Sequence, residues 1–138
     1  VFICFISVFN KYGKLKLDGL LRHLNMDWRE LVVMLVIEQV PGISQTRLVP
    51  FVQTDKANVT KLLQQMEQKG LIRREADRGD QRAKVCCLTG QGETLLPQLH
   101  EILNDWEDAC FQGVSREDRQ AFARICEIIT GNLMEEST

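Results

Sequence analysis

Two histidines, one tyrosine and three prolines in 138 residues leave little material for several common chemistries. With only His23 and His100, and no Cys/His cluster at ligand spacing, no metal site is expected. There is no Ser/His/Asp set and no phosphate-cradling glycine loop, and two histidines supply few general bases, so the pattern is not that of an enzyme and no cofactor is implied. No run reaches the roughly 18–20 apolar residues of a membrane span. The opening VFICFISVF is apolar but lacks a basic flank and a small-residue cleavage site, which argues against a secretory leader. The chain starts at Val1 rather than Met, which suggests that further residues precede it. The five cysteines, Cys4, Cys86, Cys87, Cys110 and Cys126, are odd in number and follow no framework spacing. Free thiols in a reducing, cytoplasmic setting are the expectation.

What is present suits one folded domain over 1–138: the length allows a core without staples, and 44% apolar with 26% charged residues is ordinary for such a chain. The net charge of −2 conceals a segregation. Residues 44–84 carry nine Lys/Arg against five Asp/Glu, while 85–138 have a net charge of −7 and 1–43 of +1. A basic middle on an acidic chain is the electrostatic footprint of a nucleic-acid reader, although a solvated helix surface gives the same count.

Hydrophobic spacing predicts a helix over 2–24, with Gly13 interrupting it. Asp27-Trp28-Arg29-Glu30 has the form of a capping box, and LVVMLVIEQV behind it is apolar on nearly every face, predicting a helix buried all round and ended by Pro41-Gly42. Ser44 is placed to cap a short helix with Leu48, Phe51 and Val52 inward, which Pro50 should bend or shorten. An amphipathic helix follows over about 55–69, with Gly70 as its stop. LIRRE and AKVCCLT read as strands, the second placing Val85 and Cys87 on one face and Cys86 and Leu88 on the other. Thr89 is placed to cap a long helix with Leu95, Leu99, Ile102, Leu103, Trp106 and Cys110 on one face, which Pro97 should perturb early on. Gly113 breaks it, and a last helix carries Phe122, Ile125, Ile129 and Leu133. The expected class is mainly α with a small β-hairpin: a winged helix-turn-helix with helices before and after it.

Function concentrates in the helix 55–69 and the hairpin. Val59, Leu62, Leu63 and Met66 form the buried stripe of the helix, and the opposite face holds Ala57, Thr60, Lys61, Gln64 and Gln68, with Lys56, Asn58 and Gln65 at its borders. That face carries amides, a hydroxyl and lysines but no acid. Amides and hydroxyls can hydrogen-bond base edges, and lysines neutralise phosphates. The hairpin adds Arg73, Arg74, Arg78, Arg82 and Lys84, and an arginine at a wing tip can enter the narrow minor groove. The same turn contains Arg78-Gly79-Asp80, the tripeptide of extracellular adhesion loops. The cysteine usage and the preceding helix favour the wing.

The stretch ISQTRLVPFVQTDKANVTKLLQQMEQKGLIRREADRGDQRAKVCCLTGQG resembles the winged helix-turn-helix of the MarR family of transcriptional regulators over about 50 residues. The motifs are DKANVTKLLQQMEQKGLI, Asp80-x-Arg82 in the wing, and LTGQG leading into a helix. The resemblance implies a homodimer that binds a pseudo-palindromic DNA operator, represses transcription and is released by a small ligand or oxidant. It implies that Ala57, Asn58, Thr60, Lys61 and Gln64 face the major groove, and that Arg82, oriented by Asp80, reaches the minor groove. Ser44, Gln45, Lys56, Arg73, Arg78 and Lys84 complete the expected DNA contacts. Residues 1–26 and 90–138 would be dimerisation helices and 27–89 the DNA-binding lobe, with half-sites about 10 bp apart. Gln53 stands where relatives often have glycine in the turn. A winged-helix protein-interaction module without DNA binding is the alternative.

For a sensor, ICFISVF resembles the segment around the peroxide-sensing cysteine of OhrR-type members, which makes Cys4 a candidate redox thiol; a packing cysteine is the other reading. The accompanying tyrosines are absent, with Val8 and Asp18 near those positions. Tyr12, His23 and Trp28 are candidates to line a pocket for a small aromatic ligand.

Overall fold

The protein is described here by a computed structural model, covering residues 1–79 and 83–136. It divides into two compact units, Val1–Trp106 and Glu107–Thr138. The first opens with α1 (Phe2–Val8), a π-helical turn over Phe9–Gly13, α2 (Lys14–Leu21) and a 3-10 turn over Arg22–Leu24. The predicted interruption at Gly13 is thus a widened turn within a continuous helical run. The Gly13 carbonyl accepts a hydrogen bond from Trp106 Nε1 at 2.9 Å.

Asn25 reverses the chain in the left-handed conformation, and α3 (Trp28–Gln39) begins on the predicted capping box. Asp27 Oδ1 accepts from the backbone N–H groups of Arg29 and Glu30, and Glu30 Oε1 accepts from the Asp27 N–H at 3.3 Å. Leu31, Val33, Met34 and Ile37 are buried, and Val32, Leu35 and Val36 half-buried, so the helix is covered nearly all round. Val40, beyond its end, is exposed.

A strand absent from the sequence reading follows: β1 (Ile43–Ser44), only two residues long. It pairs antiparallel with β3 (Lys84–Leu88), Ile43 opposite Cys86, and β3 pairs antiparallel with β2 (Ile72–Ala76), Arg74 also opposite Cys86. The sheet order is β1-β3-β2, with β3 central and Cys86 fully buried. So short a strand carries no periodicity for a sequence to show.

Ser44 Oγ caps α4 (Gln45–Leu48) by accepting the Arg47 N–H. Pro50 shortens this helix as expected, and the chain tightens into a 3-10 turn over Val49–Phe51. Leu48 and Val52 point into the core, but Phe51 does not: it is 47% exposed, because the change of pitch rotates it off the buried face. Gln53 takes the left-handed conformation despite its side chain, with φ of 53°, and its Oε1 accepts from Lys14 Nζ. That ammonium also lies 3.8 Å from the centre of the Trp28 ring, which joins α2, the start of α3 and the turn.

Asp55 caps α5 (Lys56–Gln68), whose buried side is Val59, Leu62, Leu63 and Met66 as predicted. Gly70, with φ of 77°, ends it. Beyond β3, Thr89 Oγ1 accepts the Gly92 N–H and donates to the Gly70 carbonyl, fastening the start of α6 (Gly90–Cys110) to the end of α5. Gly92 sits so close that a Cβ there would lie 2.2 Å from the Leu71 carbonyl oxygen. The helix runs through Pro97 without a break; the proline side is exposed, and solvent can satisfy the carbonyl it leaves unpaired. Leu99 and Ile102 are buried on its inner face, and Leu95, Leu103 and Trp106 pack beside them, whereas Cys110 is exposed.

The second unit begins in the last turn of α6 and contains α7 (Arg116–Glu136). Gly113, at φ of 86°, turns the chain, and Ser115 Oγ accepts the Asp118 N–H. Phe111 meets Phe122 edge to face at 5.6 Å, and Arg119 pairs with Asp108 at 2.9 Å.

Candidate nucleic-acid interface

α5 presents the face that its sequence pattern promised. Lys56, Ala57, Asn58, Lys61 and Gln64 are exposed, and Thr60 is half-buried. Among the described residues, the acids of the basic segment are turned to internal uses. Asp55 Oδ1 accepts the Asn58 N–H as helix cap, Glu67 holds Arg74, Glu75 holds Arg73, and Asp77 Oδ1 accepts the Gly79 N–H within the hairpin turn. The exposed ammonium groups of Lys56, Lys61 and Lys84 add positive charge on this side.

A concavity of about 330 Å³ lies between α4, α5 and the hairpin. Its lining brings together six residues named from sequence, Gln45, Lys56, Thr60, Gln64, Arg74 and Lys84, and adds Thr46, Val49 and Ala83. Ser44 is committed to capping α4. Asn58 donates from Nδ2 to Thr54 Oγ1 at 3.0 Å, which steadies the first turn of α5. Arg73 is exposed and held along the strand, its Nε donating to Glu75 Oε1 at 2.7 Å and its Nη1 to the Leu88 carbonyl. Arg78 is exposed on the hairpin. Asp80 and Arg82, the expected wing pair, lie outside the described residues.

Among the described hairpin arginines, Arg74 departs most from the others. Its side chain is 7% exposed and turned inward, with Nε and Nη2 at 2.8 and 2.7 Å from Glu67 Oε1 and Nη1 donating to Gln45 Oε1 at 3.0 Å. Strand alternation supplies the signal for this: Ile72 is buried, Arg73 exposed and Arg74 inward, on the same side as Ile72.

The sensor candidates are scattered. Cys4 is exposed on α1, and Tyr12 is exposed in the π-helical turn. His23 is exposed with Gln98 Nε2 3.4 Å from its ring nitrogen, and Trp28 is half-buried beneath Lys14. A second concavity, about 310 Å³, is lined by Asp18, Arg22, Asn25, Met26, Asp27, Glu30 and Lys69 and includes none of these. Among the described residues no cluster of His, Cys, Asp or Glu could hold a metal ion, and no helix is long and apolar enough to cross a membrane.

Comparison with known proteins agrees with this geometry. The sequence pattern of the MarR family matches residues 14–84. The transcriptional regulator HosA of Escherichia coli O157:H7 is 31% identical over 96 residues, covering 70% of this chain and 71% of HosA. A crystal structure of MarR superposes with a TM-score of 0.85 at 26% identity, covering 95% of this chain and 89% of that one. A mutant MarR from E. coli complexed with operator DNA shares the fold, with a TM-score of 0.77 at 18% identity over 91% of this chain and 90% of that one. These relatives are transcriptional regulators and not enzymes. From the family match, the HosA identity and the winged helix-turn-helix of α4, α5 and the β2–β3 hairpin, the chain belongs to the MarR family of transcriptional regulators.

Proposed function

We propose that this regulator binds a pseudo-palindromic operator as a homodimer, with α5 in the major groove, and acts as a cytoplasmic repressor released by a small ligand or an oxidant. The observation that carries the reading is the acid-free outer face of α5 set above a concavity whose exposed charges are lysines. Ordinary exposed helix faces mix both signs. A face that offers only amides, a hydroxyl and ammonium groups suits base edges flanked by phosphates. The operator complex of E. coli MarR, a protein of the same fold, supports the choice of partner.

Homodimerisation is supported by apolar surface in each unit. On α1, Phe2, Ile3, Phe5 and Ile6 are exposed, Phe5 at 57%. On α7, Phe122, Ile125, Ile128 and Leu133 are exposed. Surface of this kind requires cover, and a second copy presents the same faces. Residues 1–26 and 90–138 would supply that contact and 27–89 the DNA lobe. Release by oxidant is supported by the exposure of Cys4, which lies on the same helix as the apolar face.

Fluorescence anisotropy with the DNA upstream of the regulator's own gene tests the proposal. Saturable binding at two chains per duplex, competed by the same sequence far better than by bulk DNA, is expected. A folded dimer that binds neither would favour the interaction-module reading.

A further inference from the structure

Resting on the placement of α5 in the major groove, the hydrogen-bond directions around Arg74 reach one step further, to what the helix reads. An arginine guanidinium has five donors and no acceptor. Arg74 Nη1 lies 3.0 Å from the Gln45 side-chain amide, so the amide must present its oxygen there, since the NH₂ group would set donor against donor. Gln45 Nε2 is then forced to the other side, where it donates to Thr60 Oγ1 at 2.8 Å. The Thr60 hydroxyl, receiving that bond, sends its single proton to the Lys56 carbonyl at 3.0 Å. Each link is fixed by the one before it, and the chain starts from a cation anchored on Glu67 at 2.7–2.8 Å. A threonine on a helix surface ordinarily rotates its hydroxyl to suit its partner. Here the proton is already used, and what Thr60 retains for the concavity is one acceptor lone pair.

We propose that Arg74 is a specificity-positioning residue: through Gln45 it holds Thr60 as a pure acceptor, so that the recognition helix selects a base with an exocyclic amino group in the major groove. Adenine N6 and cytosine N4 are the only donors on that edge, whereas guanine O6 and thymine O4 are acceptors and would face the oxygen lone pair. Arg74 itself touches no DNA in this account. It is buried, and its charge is met by Glu67.

Selection of bound duplexes from a random pool, run in parallel on the full-length protein and on Thr60→Val, Gln45→Leu and Arg74→Met, tests this. The protein is expected to enrich A or C over G or T about fivefold at one position in each half-site, the worth of a single good hydrogen bond. Thr60→Val, of nearly the same shape, is expected to flatten that position alone. Gln45→Leu and Arg74→Met are expected to relax the same position, because the freed hydroxyl can again donate, and Arg74→Met to leave the other positions and the salt dependence as they were. Enrichment of G or T there would overturn the proposal. So would a uniform loss of affinity with a shallower salt slope in Arg74→Met, which would make Arg74 a phosphate contact. If Arg74→Met fails to fold, Gln45→Leu decides on the same criterion. A pool from which the unmutated protein selects no sequence at all would instead refute the DNA-binding reading on which this rests.

Discussion

Lys69 Nζ lies 2.8 Å from Glu30 Oε2 and also donates to the Asn25 carbonyl, so the end of α5 is fastened to the start of α3. Glu30 is 5% exposed and would be an uncompensated carboxylate without this ammonium. Lys69→Met is therefore expected to lose about 2 kcal/mol in urea denaturation, below the figure for a fully buried pair because Lys69 is partly solvated. Adding Glu30→Gln should recover part of that loss; strictly additive effects in the double variant would show that the two groups are not coupled.

Gly92 gives a prediction from close approach alone. A Cβ at 2.2 Å from the Leu71 carbonyl oxygen meets backbone, which cannot swing aside as a side chain can. Gly92→Ala is expected to cost at least about 2 kcal/mol by thermal or urea melting, despite the higher helix propensity of alanine. A neutral or stabilising effect would mean that the junction between α5 and α6 is looser than described.

The buried thiol of Cys86 makes stability depend on alkaline pH. Burial in the centre of the sheet pushes its pKa up to about 11 from 9.0, with Arg74 opposing. A group with a raised folded pKa contributes stability that is complete below its unfolded value and lost as pH climbs through the folded one. The loss should thus fall between about pH 9 and pH 11. Cys86→Ala is expected to be less stable at neutral pH but to show a flatter decline across that window. A decline of equal steepness in both proteins would assign it to other groups.

Much of this architecture is legible in the sequence because its signals are local. The capping box at Asp27 and Glu30, the stripe from Val59 to Met66 and the stop at Gly70 each depend on neighbours within a turn or two, and each stands where expected. What escaped depends on partners far along the chain. β1 exists only because β3 offers it a ladder, and Phe51 turns outward because Pro50 alters the pitch beneath it. Pro97 is tolerated because its side of α6 is solvated, which the sequence alone does not record. In the interface, the outward face of α5 could be read directly. The inward turn of Arg74 could not be distinguished from its outward neighbours by composition, only by counting alternation from Ile72.

Arg82→Ala is expected to weaken operator binding by about 1–3 kcal/mol, and Asp80→Ala to weaken it less. Anisotropy titrations of both variants at fixed salt check this. Unchanged affinity in Arg82→Ala would remove that residue from the contact set.

The most direct test of the central claim, that the lysine-bearing face of α5 reads DNA, is the salt dependence of binding to a selected site and to a scrambled one. For the unmutated protein, log affinity should fall steeply and linearly with log salt on both duplexes, with the selected site tighter by roughly 10³-fold or more at physiological salt. Lys61→Ala should reduce the slope by about one on both. A flat salt response, or equal affinity for the two duplexes, would contradict the account.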